Sequence, residues 1–191
     1  GGNASTRYRV STNYRDTQGI LDKSGFNQIN ARANISHTAL NDRLDITLNA
    51  SATKRESEFS FNEALRYAVL YNPTAPVRFD NGEYFQAILF DNFNPVAIVD
   101  QNINDGQRKN LNYNVQAEFD LIDEVSLSAN FGQQFNARSN GEFYPNNSFF
   151  RGLNRDGLAR RFFEDNEFTL FETFANYVDS FEDFNLNVTA G

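Results

Sequence analysis

The run Leu111-Asn112-Tyr113-Asn114-Val115-Gln116-Ala117-Glu118-Phe119-Asp120-Leu121, followed after Ile122-Asp123-Glu124 by Val125-Ser126-Leu127-Ser128-Ala129-Asn130-Phe131, decides how this chain is read. Every second residue is apolar and the residues between are Asn, Gln, Ser or acidic. Successive side chains of a strand point to opposite sides, so such a run makes a strand with one apolar and one polar face. Two such runs joined by three polar-flanked residues make an antiparallel hairpin.

The same pattern recurs along the chain. It is carried by Tyr8, Val10, Thr12 and Tyr14; by Ile29, Ala31, Ala33 and Ile35; and by Leu44, Ile46, Leu48, Ala50 and Ala52. Phe171, Thr173, Ala175 and Tyr177 form a weaker case, because Phe168, Leu170 and Phe174 occupy the other face. Phe184, Leu186, Val188 and Ala190 open a last strand. The expected strands are approximately 7–15, 27–36, 44–54, 110–121, 125–135, 168–177 and 184–191.

The connections alternate in length: 16–25 long, 37–43 tight, 55–109 very long, 122–124 tight, 136–167 long, 178–183 tight. If consecutive strands are antiparallel neighbours, all long loops emerge at one end and all tight turns at the other. Outer-membrane barrels sort their loops in this way. Strands of about 9–11 residues are also what a tilted crossing of the hydrocarbon layer needs. The expected fold is therefore all-β: an antiparallel transmembrane β-barrel segment whose apolar face meets lipid and whose polar face lines a lumen. A soluble sandwich, with the apolar residues as its core, is the competing arrangement.

Composition narrows the chemistry. The 191 residues contain no Cys, no Met, no Trp and a single His, with 20 Phe and 8 Tyr. A disulfide framework, a cysteine nucleophile and a multi-histidine metal cluster are excluded, and a His-based triad is improbable. The net charge of −8 argues against nucleic-acid binding, which needs a basic footprint. No catalytic carboxylate pair, metal site or cofactor motif stands out, so no enzyme activity is expected. Asp80-Asn81-Gly82 and Asn104-Asp105-Gly106 are read as turns; they lack the regular oxygen spacing of a calcium loop.

Ser60 and Glu63 have capping-box spacing, and Phe61, Leu65, Ala68, Val69 and Tyr71 follow at near-helical intervals, predicting a short helix ending by Asn72. Aromatic residues cluster in the two largest loops: Tyr84, Phe85, Phe90 and Phe93 in one, Phe143, Tyr144, Phe149 and Phe150 in the other. They are the candidate ligand- or partner-contact residues, able to stack on sugar rings or anchor a protein. The alternative is that they pack the loops against each other. Tyr14, Phe26, Phe131 and Phe135 are placed near strand ends, as an aromatic girdle.

Particular stretches resemble SusC-like TonB-dependent transporters. Tyr8-Arg9-Val10-Ser11 through Asp16-Thr17-Gln18-Gly19-Ile20 looks like an early barrel segment of that family, and Ala39-Leu40-Asn41-Asp42-Arg43-Leu44 like a turn into its next strand. The most specific match is Ala64-Leu65-Arg66-Tyr67-Ala68 with Tyr71-Asn72-Pro73-Thr74-Ala75-Pro76-Val77, similar to a helix-plus-loop element of a long extracellular loop. Asn185-Leu186-Asn187-Val188-Thr189-Ala190-Gly191 is similar to a recurring family strand.

The resemblance implies a barrel of about 22 strands with an internal plug, in a Bacteroidetes-type cell outer membrane. It implies glycan or peptide import, a SusD-like lipoprotein partner, TonB engaged through an N-terminal part, and outer-membrane lipid around the wall. Residues 1–191 are then expected to be part of one barrel domain of a longer protein. The chain shows no plug or TonB-box segment, and seven strands cannot close a plugged barrel. Two other functions stay open at this point: a non-transporting structural or assembly component on the same barrel, and a soluble all-β carbohydrate-binding module.

Overall fold

A computed structural model describes residues 1–87, 92–181 and 184–191. Seven strands form one sheet in the order of the sequence: β1 (Thr6–Gln18), β2 (Gly25–Ala39), β3 (Leu44–Glu58), β4 (Ile103–Ile122), β5 (Val125–Tyr144), β6 (Leu158–Ser180) and β7 (Asn185–Ala190). Every neighbouring pair is antiparallel. The fold is all-β, and the sheet is an open meander with β1 and β7 at its edges.

The pairing register keeps the alternation in phase across the sheet. Tyr8 pairs Ile35, Ile35 pairs Leu48, Leu48 pairs Val115, Val115 pairs Phe131 and Phe131 pairs Phe171. One face is therefore apolar and continuous over six strands. The other carries Arg9, Asn34, Asn49, Asn114 and Gly132 along the corresponding row. A slip of one residue in any pair would put that strand's apolar set on the wrong side, so the pattern itself specifies the register.

The apolar band crosses the strands obliquely. Its centre in β1 is near Ser11, which aligns through Arg32 with Ser51, on the long-loop side of Leu48. Its centre in β7 is near Val188, which aligns through Tyr177 and Val125 with Ile122, on the turn side of Val115. A band that drifts along the register is what strands tilted by about 35–45° to a barrel axis produce. Within it, the polar Gln133 is bonded on both sides, accepting from the Tyr113 hydroxyl and donating to Glu167.

The strands are longer than the alternation alone predicts. β4 and β5 have 20 residues each and β6 has 23. The added length lies at the long-loop end, where the apolar face gives way to Lys54, Glu56 and Glu58 on β3 and to Lys109, Gln107 and Asp105 on β4. Backbone ladder bonds are indifferent to side-chain polarity, so pairing continues where the apolar pattern stops. The two largest connections shrink accordingly to 59–102 and 145–157.

Three readings change. Asn104-Asp105-Gly106 lies inside β4 and makes no turn. Gly106 is needed for space, since a Cβ there would sit 2.7 Å from the ring of Phe59. Phe26 pairs Thr17 and Ser57, which places it on the polar face and outside any girdle, and Phe131 pairs Val115 in the middle of the apolar band, away from the strand end where a girdle would hold it. Ser60 caps nothing: α1 (Glu63–Leu70) starts after Asn62, and the Ser60 hydroxyl is buried without a partner. Phe61 sets the start of α1 by turning into the loop core, while the Glu63 carboxylate is taken by Arg151.

Among the described residues, the buried ones lie in the loops and at the long-loop end of β5. Phe61, Ala64, Ala97, Ile98, Tyr144 and Phe150 are the buried apolar set, and Tyr144 lies at the very end of its strand. On the apolar face of the sheet, Val10 is 69% exposed, Tyr14 64% and Phe171 69%. Among the described residues no second sheet covers that face. A soluble sandwich requires one.

Candidate ligand- or partner-contact site

The loops at the long-loop end fold into a cap with its own small core. α1 turns Ala64 and Tyr67 inward and leaves Leu65 and Val69 facing out. The inward face is thus offset from the apolar spacing of Leu65, Ala68 and Val69. The second helix, α2 (Pro95–Gln101), is absent from the sequence reading, although Asn94-Pro95 announces it. The Asn94 side chain accepts from the backbone N–H of Val96 at 3.1 Å and of Ala97 at 3.3 Å, and Pro95 occupies the first turn, where no N–H is required. Asn94 is fully buried, and its amide donates to the carbonyls of Val77 at 2.7 Å and Phe85 at 2.9 Å, tying the hairpin below it to the helix.

Aromatic packing joins the two loops. Phe61 and Tyr144 have ring centroids 5.5 Å apart, Phe93 and Phe150 also 5.5 Å, and Tyr67 and Phe93 5.2 Å, mostly edge to face. Polar bonds lock the same contact. Arg151 donates to Glu63 at 2.8 Å and to the Tyr144 hydroxyl at 3.0 Å, and that hydroxyl donates to Glu142 at 3.0 Å. Gly152 permits the close turn here, because a Cβ would meet the Pro145 carbonyl oxygen at 2.0 Å.

The candidate contact residues therefore divide. Tyr144, Phe150 and Phe93 belong to the cap core. Phe85 packs on Phe79 with centroids 5.2 Å apart. Phe143 stays exposed at the end of β5. Phe90 lies outside the described residues. Outside that core, among the described residues, Tyr84 and Phe149 line one groove of about 540 Å³ between the two loops, with Asn81, Glu83, Gln86, Gln101, Asn147 and Leu153. The amides of this groove were not singled out by sequence. Individually they are unremarkable in a chain with 27 Asn.

Tyr84 is held by charges. Its hydroxyl donates to Asp100 and receives from Arg78, Arg78 pairs with Asp100 at 3.3 Å, and the guanidinium lies 3.8 Å from the ring centroid. Desolvation, reinforced by the Asp100 carboxylate, pushes the phenol up to about 12. The neutral form is favoured in the fold, so the contribution of Tyr84 is complete below the ordinary tyrosine value of about 10 and is lost as pH rises towards 12. In the full-length protein, Tyr84→Phe should remove one tyrosine from the high-pH end of the phenolate titration. A variant curve identical to the wild type would refute this arrangement.

Among the described residues no group of three or more His, Cys, Asp or Glu is arranged to hold a metal ion. The groove offers amides, the Glu83 carboxylate, a phenol and aromatic edges, which suit binding.

No family model and no curated protein matches the chain. Solved structures do. The RagAB peptide importer in its closed-closed and open-open states superposes with a TM-score of 0.74 at 18% identity, and the RagAB peptide transporter with 0.74 at 19%. In each case 99% of this chain is covered and 22% of the other chain. The sheet is a barrel segment. At these identities the likeness establishes the fold alone, and the chain spans about a fifth of the length of the chains it matches.

Proposed function

We propose that this chain is a stretch of wall from a SusC-like, TonB-dependent outer-membrane transporter that imports peptides or glycans beneath a SusD-like surface lipoprotein. One observation carries the reading: the apolar face of the sheet continues across six strands and no second layer among the described residues covers it. Soluble proteins rarely expose contiguous apolar patches beyond a few hundred Å², whereas lipid accepts such a face at no cost. The barrel likeness to a peptide importer and the sorting of long loops to one end support it.

The polar face then lines the lumen, and the loop cap lies outside the cell. β6 adds a detail, because Phe168, Leu170 and Phe174 stand on its lumen face, with Glu172 between them accepting from the Asn130 amide at 3.1 Å. Three large apolar side chains on a lumen face suit a lumen occupied by protein, as a plug would occupy it. The loop groove at Tyr84 and Phe149 is the proposed contact surface for ligand or lipoprotein.

The test uses the full-length protein that carries this segment. It should leave the membrane only in detergent, show heat-modifiable mobility, and bring an acylated surface protein with it. Cells lacking it should fail to take up a labelled peptide or oligosaccharide mixture, and collapsing the proton gradient should stop uptake in wild-type cells. A detergent-free monomer would sink the membrane reading. Unchanged uptake in the deletion strain would sink transport and leave a structural role.

A further inference from the structure

Four arginines occupy one level of the polar face, just above the apolar band. Arg55, Arg108 and Arg138 are direct cross-strand partners on β3, β4 and β5, and Arg15 lies in the same row beyond Gln28. Like charges directly opposite each other destabilise a sheet. Here three are stacked in succession, in a segment whose net charge is −8 and which has carboxylates to spare.

Those carboxylates are placed elsewhere. Among the described residues none lies within 4.0 Å of Arg55, Arg108 or Arg138, and the ion pairs that form involve Arg43, Lys54, Arg78, Arg151 and Arg161. Glu56, Glu58 and Asp105 sit on the opposite face. Glu164, the cross-strand partner of Arg138, accepts from Asn166 at 3.2 Å.

Neutral contacts hold the guanidinium groups in place. Arg55 lies 3.6 Å from the centroid of Phe26 and donates to the Ser57 hydroxyl at 3.3 Å. Arg138 donates to the side-chain oxygen of Asn140 at 3.4 Å. The three arginines, with Ser57 and Asn140, line a cavity of about 190 Å³. That is below the roughly 300 Å³ at which pockets begin to hold a whole small ligand, and it fits one charged group.

We propose that Arg55, Arg108 and Arg138 form an anion anchor at the outer mouth of the lumen, taking a carboxylate of the incoming ligand so that acidic peptides are favoured. The proposal rests on the transport reading above. Guanidinium forks match a carboxylate's two oxygens, and charge-assisted bonds of this kind are about twice as strong as neutral ones. The position also suits steering, because ligand passing from the loop cap into the barrel crosses this row, and a cluster of one sign raises the local concentration of its counter-ion.

The experiment uses the full-length protein in detergent and a pool of eight-residue peptides in which each Asp/Glu member has an Asn/Gln counterpart. Retained peptides are quantified by mass spectrometry for wild type, for R55Q/R108Q/R138Q, and for Arg32→Gln, which alters an arginine deeper on the same face. Thermal unfolding is followed in parallel with citrate against chloride at equal ionic strength.

The wild type and Arg32→Gln should retain acidic members about tenfold better than their amide counterparts. The triple variant should retain both alike, and citrate should raise the Tm only where the three arginines are present. Equal retention by the wild type, or a preference surviving in the triple variant, overturns the proposal. So does a wild type indifferent to citrate whose triple variant melts lower unaided, since the arginines would then be paired within the protein. If no peptide of either kind is retained while the arginine-dependent citrate shift persists, the anion site stands and peptide import falls.

Discussion

Tyr144→Ala should release the two long loops and leave the barrel wall assembled. Tyr144 is fully buried, packs against Phe61 and Phe150, and carries the hydroxyl that links Arg151 to Glu142. Truncating a buried aromatic side chain costs about 3–5 kcal/mol. The cap core is so small, Phe61, Ala64, Ile98, Tyr144 and Phe150 with four partly buried neighbours, that a loss of this size exceeds what it can absorb. The sheet does not share the loss, because its strands are held by their own ladders.

The readout is protease treatment of intact cells. Cleavage within 59–102 should become fast in Tyr144→Ala while heat-modifiable mobility persists. Tyr144→Phe keeps the ring, loses only the hydroxyl's bonds, and should give an intermediate rate. Wild-type resistance in Tyr144→Ala would show that the cap is held by something other than this cluster.

Val115→Arg should be the most damaging single change on the sheet. Val115 sits mid-band on the apolar face, paired with Leu48 and Phe131. Arginine at the bilayer midplane costs about 2–4 kcal/mol on a barrel's lipid face, falling to about 0–1 near the interfaces. Leu111→Arg, one step from the Lys54–Lys109 row that ends the band, should therefore be mild. Asn114→Arg, adjacent in sequence but on the polar face, should be tolerated. The amount of heat-modifiable full-length protein in the outer membrane should rank Val115→Arg far below both. Equal damage from Asn114→Arg would contradict the assignment of faces.

The seven strands were legible because each keeps at least three apolar residues at alternating positions, enough to fix both the period and the face. Their upper ends were not, since Lys54, Glu56 and Glu58 pair as regularly as Leu48 but carry no hydrophobic signal. Asn104-Asp105-Gly106 misled for a related reason: turn-forming residue types are equally at home where a strand needs a glycine to clear a ring. Asn94-Pro95 was readable as a helix start, and its signal is local.

The arginine row is of another kind. Arg55, Arg108 and Arg138 are distant in sequence, and only the register across β3, β4 and β5 brings them level. No window along the chain contains that fact. The division of the loop aromatics into core and surface likewise depends on which loop packs on which. Sequence supplied the cluster and left open that Tyr144 is buried while Phe143 beside it is exposed.

The central claim is that the apolar face of this sheet meets lipid and the polar face does not. Nitroxide labels placed one at a time at residues 111–119, in a cysteine-free background of the full-length protein in vesicles, test it most directly. Collision rates with oxygen, which concentrates in the bilayer, should peak at 111, 113, 115, 117 and 119. Collision rates with a water-soluble nickel complex should peak at 112, 114, 116 and 118. The opposite phase, or oxygen and nickel profiles without alternation, would contradict the account.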